Sequence, residues 1–156
     1  MEEIRIEHFK LDMCITTPKD MASLAGASFG IAERVPETSG EAFDWQSWYT
    51  NWVEEQNGSE AMPEPSHLIV EAADTFEAVI PWEELGDAAV LYAQEGQPLT
   101  KSGPIRLYVP NGSSRCLNVK SIVKLRFVRH AEGAIPEDAS YGFKNTITVD
   151  QLRMTK

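Results

Sequence analysis

The sequence predicts an α+β fold, and three observations predict it. Short stretches of alternating apolar and polar residues recur, as in IRLYV (105–109) and VKLRF (123–127), which is the pattern of half-buried strands. Short helical patterns stand between them, clearest in DWQSWYTNWVEEQ (44–56). The two kinds of element do not alternate regularly. That argues for a mixed, strand-rich sheet with short helices rather than a doubly wound parallel sheet. The 156 residues fit one domain, 1–156, with 130–156 as its C-terminal extension.

Taken in order, Ile4 and Ile6 alternate with charges, and then Phe9, Leu11, Met13 and Ile15 alternate on the other parity. The switch near His8 predicts a bulged long strand or two short ones. TTPKD (16–20) supplies an N-cap threonine, a proline at the first helical position and an acid three residues after the cap, so a short helix is predicted at 18–25. GASFG (26–30) breaks that pattern, and 33–42 reads as a polar loop. In the next helix Trp45, Trp48, Tyr49, Trp52 and Val53 share one face, and Asn57-Gly58 ends it. Such a stripe reads as core, the alternative being an aromatic wall for a flat ligand. AMPEPS (61–66) is a linker. HLIVEA and TFEAVI read as strands about a turn at Ala73-Asp74, Pro81–Leu85 as one turn of helix, and 87–94 as a second short helix. EGQPL is a turn, followed by the two strands already quoted. Beyond Gly133 the chain reads as loop, with a last strand at NTITV (145–149).

Composition narrows the function. With 42% hydrophobic and 24% charged residues the chain has ordinary globular balance. No stretch approaches the ~18 apolar residues of a membrane span. The N-terminus, MEEIRIEHFK, lacks the apolar core of a secretory signal, so a cytoplasmic protein is expected. Cys14 and Cys116 read as reduced thiols, with a single bridge left open. A net charge of −10 argues against nucleic acid as a partner. The charge is unevenly spread, however. Residues 101–130 hold Lys101, Arg106, Arg115, Lys120, Lys124, Arg126 and Arg129 and no Asp or Glu, while acids crowd the rest. These cations either pair with acids across the sheet or form a local anion site. PNGSSRCLNVK (110–120) has the composition for the second: a Gly/Ser loop whose amides can form an anion nest, with Arg115 and Lys120 to add charge-assisted hydrogen bonds.

Residues 67–127 carry a resemblance. HLIVEAADTFEAVIPWEEL, AAVLYAQEGQPLT, GPIRLYVP and NVKSIVKLRF follow the order and spacing of the C-terminal half of the sulfite oxidase-type molybdopterin-binding domain. The resemblance implies a sheet-rich sulfite oxidase-like α+β fold with a pterin cofactor held between segments. It also implies that Lys120, matching the lysine of the family's VKW motif, contacts the pterin phosphate. Ser121 stands where the family has tryptophan. The family's molybdenum-ligand cysteine falls in the interval that is here ASLAGASFGIAERVPETSGEAF (22–43), which contains no cysteine. Molybdenum wants that soft thiolate, so a non-catalytic member is expected. It would bind a small anionic ligand through Gly112, Ser113, Ser114, Arg115 and Lys120, with molybdopterin as the cofactor the resemblance suggests. The alternatives are an active molybdopterin-dependent oxidoreductase, and a domain that offers Lys124 and Arg126 to a protein partner or to its own acidic surface in a homodimer.

Three other patterns need weighing. GASFG matches a nucleophile elbow, with Asp74 and His130 downstream of Ser28, but a helix precedes it where a strand is required. His8, His67 and His130 are scattered without metal-ligand spacing. Glu83-Glu84 reads as helix-start acids, and Cys116 beside Arg115 as either a small packed side chain or a reactive thiol.

Overall fold

A computed structural model describes residues 3–58, 60–101, 103–112 and 117–129, with the backbone of 140–143. Among these residues two β-sheets and two α-helices, with two short 3-10 turns, make up an α+β fold. The elements are β1 (Ile4–His8), β2 (Cys14–Thr16), α1 (Pro18–Ala25), β3 (Ser28–Gly30), β4 (Glu41–Asp44), α2 (Trp45–Asn57), β5 (His67–Ala72), β6 (Phe76–Pro81), β7 (Ala89–Gln94), β8 (Gln97–Pro98), β9 (Arg106–Tyr108), β10 (Ile122–Val128) and β11 (Ser140–Phe143). The larger sheet has the order β11-β6-β5-β10-β1-β2, and β1 runs parallel to β10 with Arg5 opposite Lys124 and His8 opposite Phe127. Its other pairings are antiparallel. The smaller sheet has the order β3-β4-β7-β8, and β9 also pairs with β7, across from β4.

The local chemistry explains the helices. Thr17 caps α1, its hydroxyl accepting from the Asp20 amide at 3.2 Å, and Pro18 opens the helix. Asp44 caps α2, accepting from the Ser47 amide at 2.8 Å, and also meets Arg34 at 2.7 Å. The apolar stripe of α2 faces inward. Trp45, Trp48, Tyr49 and Trp52 are buried, and all four rings lie within 6.5 Å of the Phe127 ring centroid on β10. The stripe is therefore core, joined by Ile4, Ile6, Leu68, Val70, Ile80 and Leu125 from the larger sheet and by Phe43, Val90 and Leu107 from the smaller one.

Several expectations change. The helix expected at 87–94 is instead strand β7 from Ala89 to Gln94. β7 is paired on both sides, and Val90 joins the main core while Ala89 and Leu91 join a second cluster with Ile31, Ala42, Leu99 and Tyr108. A strand buried on both faces loses its alternation and reads as a continuous apolar run, which periodicity cannot tell from a buried helix. The expected loop at 33–42 ends early, because Glu41 and Ala42 already belong to β4. The glycine before it is tightly held: Gly40 has φ 132°, and a Cβ there would lie 2.5 Å from Leu91 Cδ1 and 2.8 Å from the Ala93 carbonyl. The first stretch resolves into two strands, β1 and β2. The alternation in β10 shifts, because a register irregularity between Ile122 and Lys124 buries Ile122 and leaves Val123 half-exposed. The tail expected to be loop supplies β11 beside β6, while the expected strand at 145–149 lies outside the described residues.

Candidate functional site

The loop at 111–120 rises from two feet that the fold holds together. β9 leads into it. On the way back, the Leu107 amide donates to the Val119 carbonyl at 2.8 Å and the Ile122 amide to the Ile105 carbonyl at 3.1 Å. Asn118 Oδ1 accepts from the Val109 amide at 2.7 Å, and the Gly112 amide donates to the Val109 carbonyl at 2.9 Å. Gly112 sits against the other foot: a Cβ there would lie 3.1 Å from Leu117 Cδ1, Val109 Cγ1 and the Val109 carbonyl. Leu117 and Val119 are buried. Asn111 Nδ2 donates to Asp87 Oδ2 at 2.8 Å, which ties the outer foot to the turn before β7.

Of the residues expected to bind, Gly112 is at the first foot and Lys120 is exposed just past the second. Ser113, Ser114 and Arg115 lie outside the described residues, as does Cys116. Ser121, which follows Lys120, holds a positive φ of 55° while its carbonyl accepts from the Ala73 amide at 2.9 Å. A non-glycine residue in that region is uncommon and fixes the direction in which the chain enters β10.

Much of the surrounding positive charge is engaged within the fold. Lys124 reaches Glu7 at 3.4 Å and Arg126 reaches Glu77 at 3.8 Å. Arg129 donates to the Glu64 carbonyl, and the Arg106 guanidinium lies 5.2 Å from the Tyr108 ring centroid. Lys120 has no ion pair among the described residues.

The remaining candidates resolve individually. Ser28 opens β3 after a helix and shares a 2.7 Å hydrogen bond with the Tyr92 hydroxyl, so the strand–turn–helix setting of a nucleophile elbow is absent. His8 bonds Tyr49 Oη at 2.9 Å and accepts from the Lys10 amide at 3.0 Å; burial lowers its pKa from 6.5 to about 4. His67 is buried beside Ser66 Oγ at 3.0 Å. Glu83 and Glu84 lie in a short 3-10 turn, Trp82–Leu85.

One feature escaped the sequence reading. A groove of about 500 Å³ lies between β2 and the two helices, lined by Cys14, Asp20, Leu24, Trp52 and Glu55 among others. Cys14 is a free thiol whose pKa is raised, chiefly by burial and further by Glu55, against a hydrogen bond from Trp52. No spacing rule links residues 14, 20, 52 and 55, because the topology alone brings them together.

For molybdenum the donor set among the described residues does not fit. The interval 22–43 is filled by the end of α1, by β3 and by the start of β4 without a thiol, and Cys14 stands in the groove beside β2. Among the described residues no three His, Cys, Asp or Glu side chains gather as a metal would need. No helix among them is long and apolar enough to cross a membrane. No family model, curated protein or solved structure matches the chain.

Proposed function

We propose that the chain is a small cytoplasmic binding module, akin to the sulfite oxidase-type molybdopterin-binding domains but without chemistry at a metal. It holds an anionic ligand through the loop at 111–120. The ligand class is a phosphate ester on a flat ring, a pterin or nucleotide-like phosphate. Lys120 supplies the charge, and the loop that begins at Gly112, whose own amide is held by the Val109 carbonyl, supplies hydrogen bonds from the amides that follow and from Ser113, Ser114 and Arg115.

The observation that carries this reading is a contrast. Lys124 and Arg126 face carboxylates, whereas Lys120 is exposed at a loop whose feet are pinned by backbone and Asn118 hydrogen bonds. A loop with fixed ends loses less entropy when it closes on a ligand. The same contrast weakens the alternative of a basic strand face aimed at a protein, because those cations already have partners.

The test is calorimetric titration with AMP, with inorganic phosphate alongside. Lys120→Glu is expected to weaken AMP binding by about tenfold or more, since hydrogen bonds to charged groups contribute about 1.5–3 kcal/mol. Lys124→Glu on the outer face is expected to change it by about twofold or less. Equal loss in both variants, or no loss at Lys120, overturns the loop as the site.

A further inference from the structure

Strand β2 is the outermost strand of the larger sheet, and among the described residues no strand pairs with its second edge. Open edges are usually blunted by charge or covered. Here Met13 is 48% and Ile15 56% exposed, large apolar side chains left in solvent at that edge. Cys14 and Thr16, paired with the buried Ile6 and Ile4, lie on the other face of the strand, toward the groove, whose rim Ile15 also borders. There the buried Trp52 and half-buried Leu24 lie beneath the exposed Asp20 and Glu55. The groove's lining includes no cation, and neither carboxylate has an ion pair among the described residues.

We propose that β2 accepts an additional strand from an extended, basic segment of a protein partner. Successive side chains of a strand face opposite ways. An added strand would therefore send alternate residues into the groove, where Asp20 and Glu55 select cations, and the others onto Met13 and Ile15, which select apolar groups. Main-chain hydrogen bonds give such a complex its affinity and the alternate side chains its specificity. A second copy of this chain suits the edge poorly. Pairing β2 with β2 would bring the two acidic grooves toward each other in a chain of net charge −10.

The inference is independent of the loop at 111–120, and its test uses the full chain. A fluorescent peptide of about ten residues, alternating Lys and Val, is titrated and followed by anisotropy, beside a Glu/Val peptide of the same length. The Lys/Val peptide is expected to bind and the Glu/Val peptide not. Asp20→Lys with Glu55→Lys is expected to weaken binding about tenfold or more. Methylating the peptide's alternate amides is expected to abolish binding in one parity and spare it in the other, because only one edge of the added strand faces β2. That last readout needs no altered protein. Equal binding of both peptides, the same effect from both methylation parities, or a chain that is dimeric until Ile15→Lys makes it monomeric would each overturn the proposal.

Discussion

Acid should weaken the fold through one histidine, and the structure supplies the sign and the size. His8 ends β1 opposite Phe127, with its ring 4.3 Å from Phe9 and 5.5 Å from Phe127. Its Nδ1 accepts from the Lys10 amide, which can only donate, so the ring proton sits on Nε2 and is given to Tyr49 Oη. A second proton would have to go on Nδ1, against an N–H already pointing there, in a site that desolvates the charge. Both effects favour the neutral ring, and burial lowers the pKa from 6.5 to about 4. A depressed folded-state pKa means that the unfolded chain binds more protons between those values. Stability is thus fully present above pH 6.5 and is lost as the pH falls toward 4. At 1.36 kcal/mol per pKa unit the full shift is worth about 3.4 kcal/mol. The ring is only half-buried, and solvent screening brings the expected contribution nearer to about 1.5 kcal/mol. Between pH 7.5 and 5.0 about 1 kcal/mol of that should disappear. Urea unfolding of the wild type and of His8→Gln at both pH values isolates the term, because every other titrating group is common to the two chains. The wild type should lose about 1 kcal/mol more than the variant, or about 2–4 °C in melting temperature. Parallel losses would refute the reasoning, as would an NMR titration placing the His8 midpoint near its ordinary value.

Phe127→Ala removes the ring that the aromatic stripe of α2 packs on, and should cost about 3–5 kcal/mol in urea unfolding. Asp44→Ala removes the α2 cap and the partner of Arg34, and should cost about 1–2 kcal/mol. Burial disfavours the Asp44 carboxylate, but Ser47 and Arg34 outweigh it and lower its pKa, so this cost should fade as the pH drops through the carboxylate range. Gly112→Val forces a side chain against Leu117 and the Val109 carbonyl and should cost about 1–3 kcal/mol, measured by thermal unfolding. Protein purified from a host that makes molybdopterin should carry molybdenum, by mass spectrometry, at far below one equivalent per chain; stoichiometric metal would overturn the view that the donor set does not fit it.

The elements legible in the sequence are those whose signal is local. Thr17-Pro18 fixed the start of α1, Asp44 and the Trp45–Trp52 stripe marked α2, and the turn at Ala73-Asp74 separated β5 from β6. Each depends on a cap, a face or a turn within a few residues. The misreadings share the opposite cause. β7 looks helical because both its faces are buried, and its neighbours β4 and β9 are distant in the chain. Met13 and Ile15 continue an apolar alternation yet lie in solvent, because β2 takes the last place in the sheet and no element of the described chain comes to cover it.

The same distinction separates the two proposed binding surfaces. Cations clustered in sequence at 101–130 suggested an anion site, but sequence proximity does not say which charges remain free. The parallel pairing of β1 with β10 sets Glu7 beside Lys124, and β6 sets Glu77 within reach of Arg126, so acids from distant segments take up the charge of the strand. Lys120 escapes because it precedes β10, beyond the stretch that β1 pairs with, and Ser121 turns the chain there. The acidic groove reverses the logic. Asp20 and Glu55 are unremarkable in their own helices and become a feature only where α1 and α2 pack beside β2. The anion site and the strand-accepting edge proposed above thus draw on one topology, which pairs the charge of β10 inside the sheet and leaves Lys120, Asp20 and Glu55 without ion pairs among the described residues.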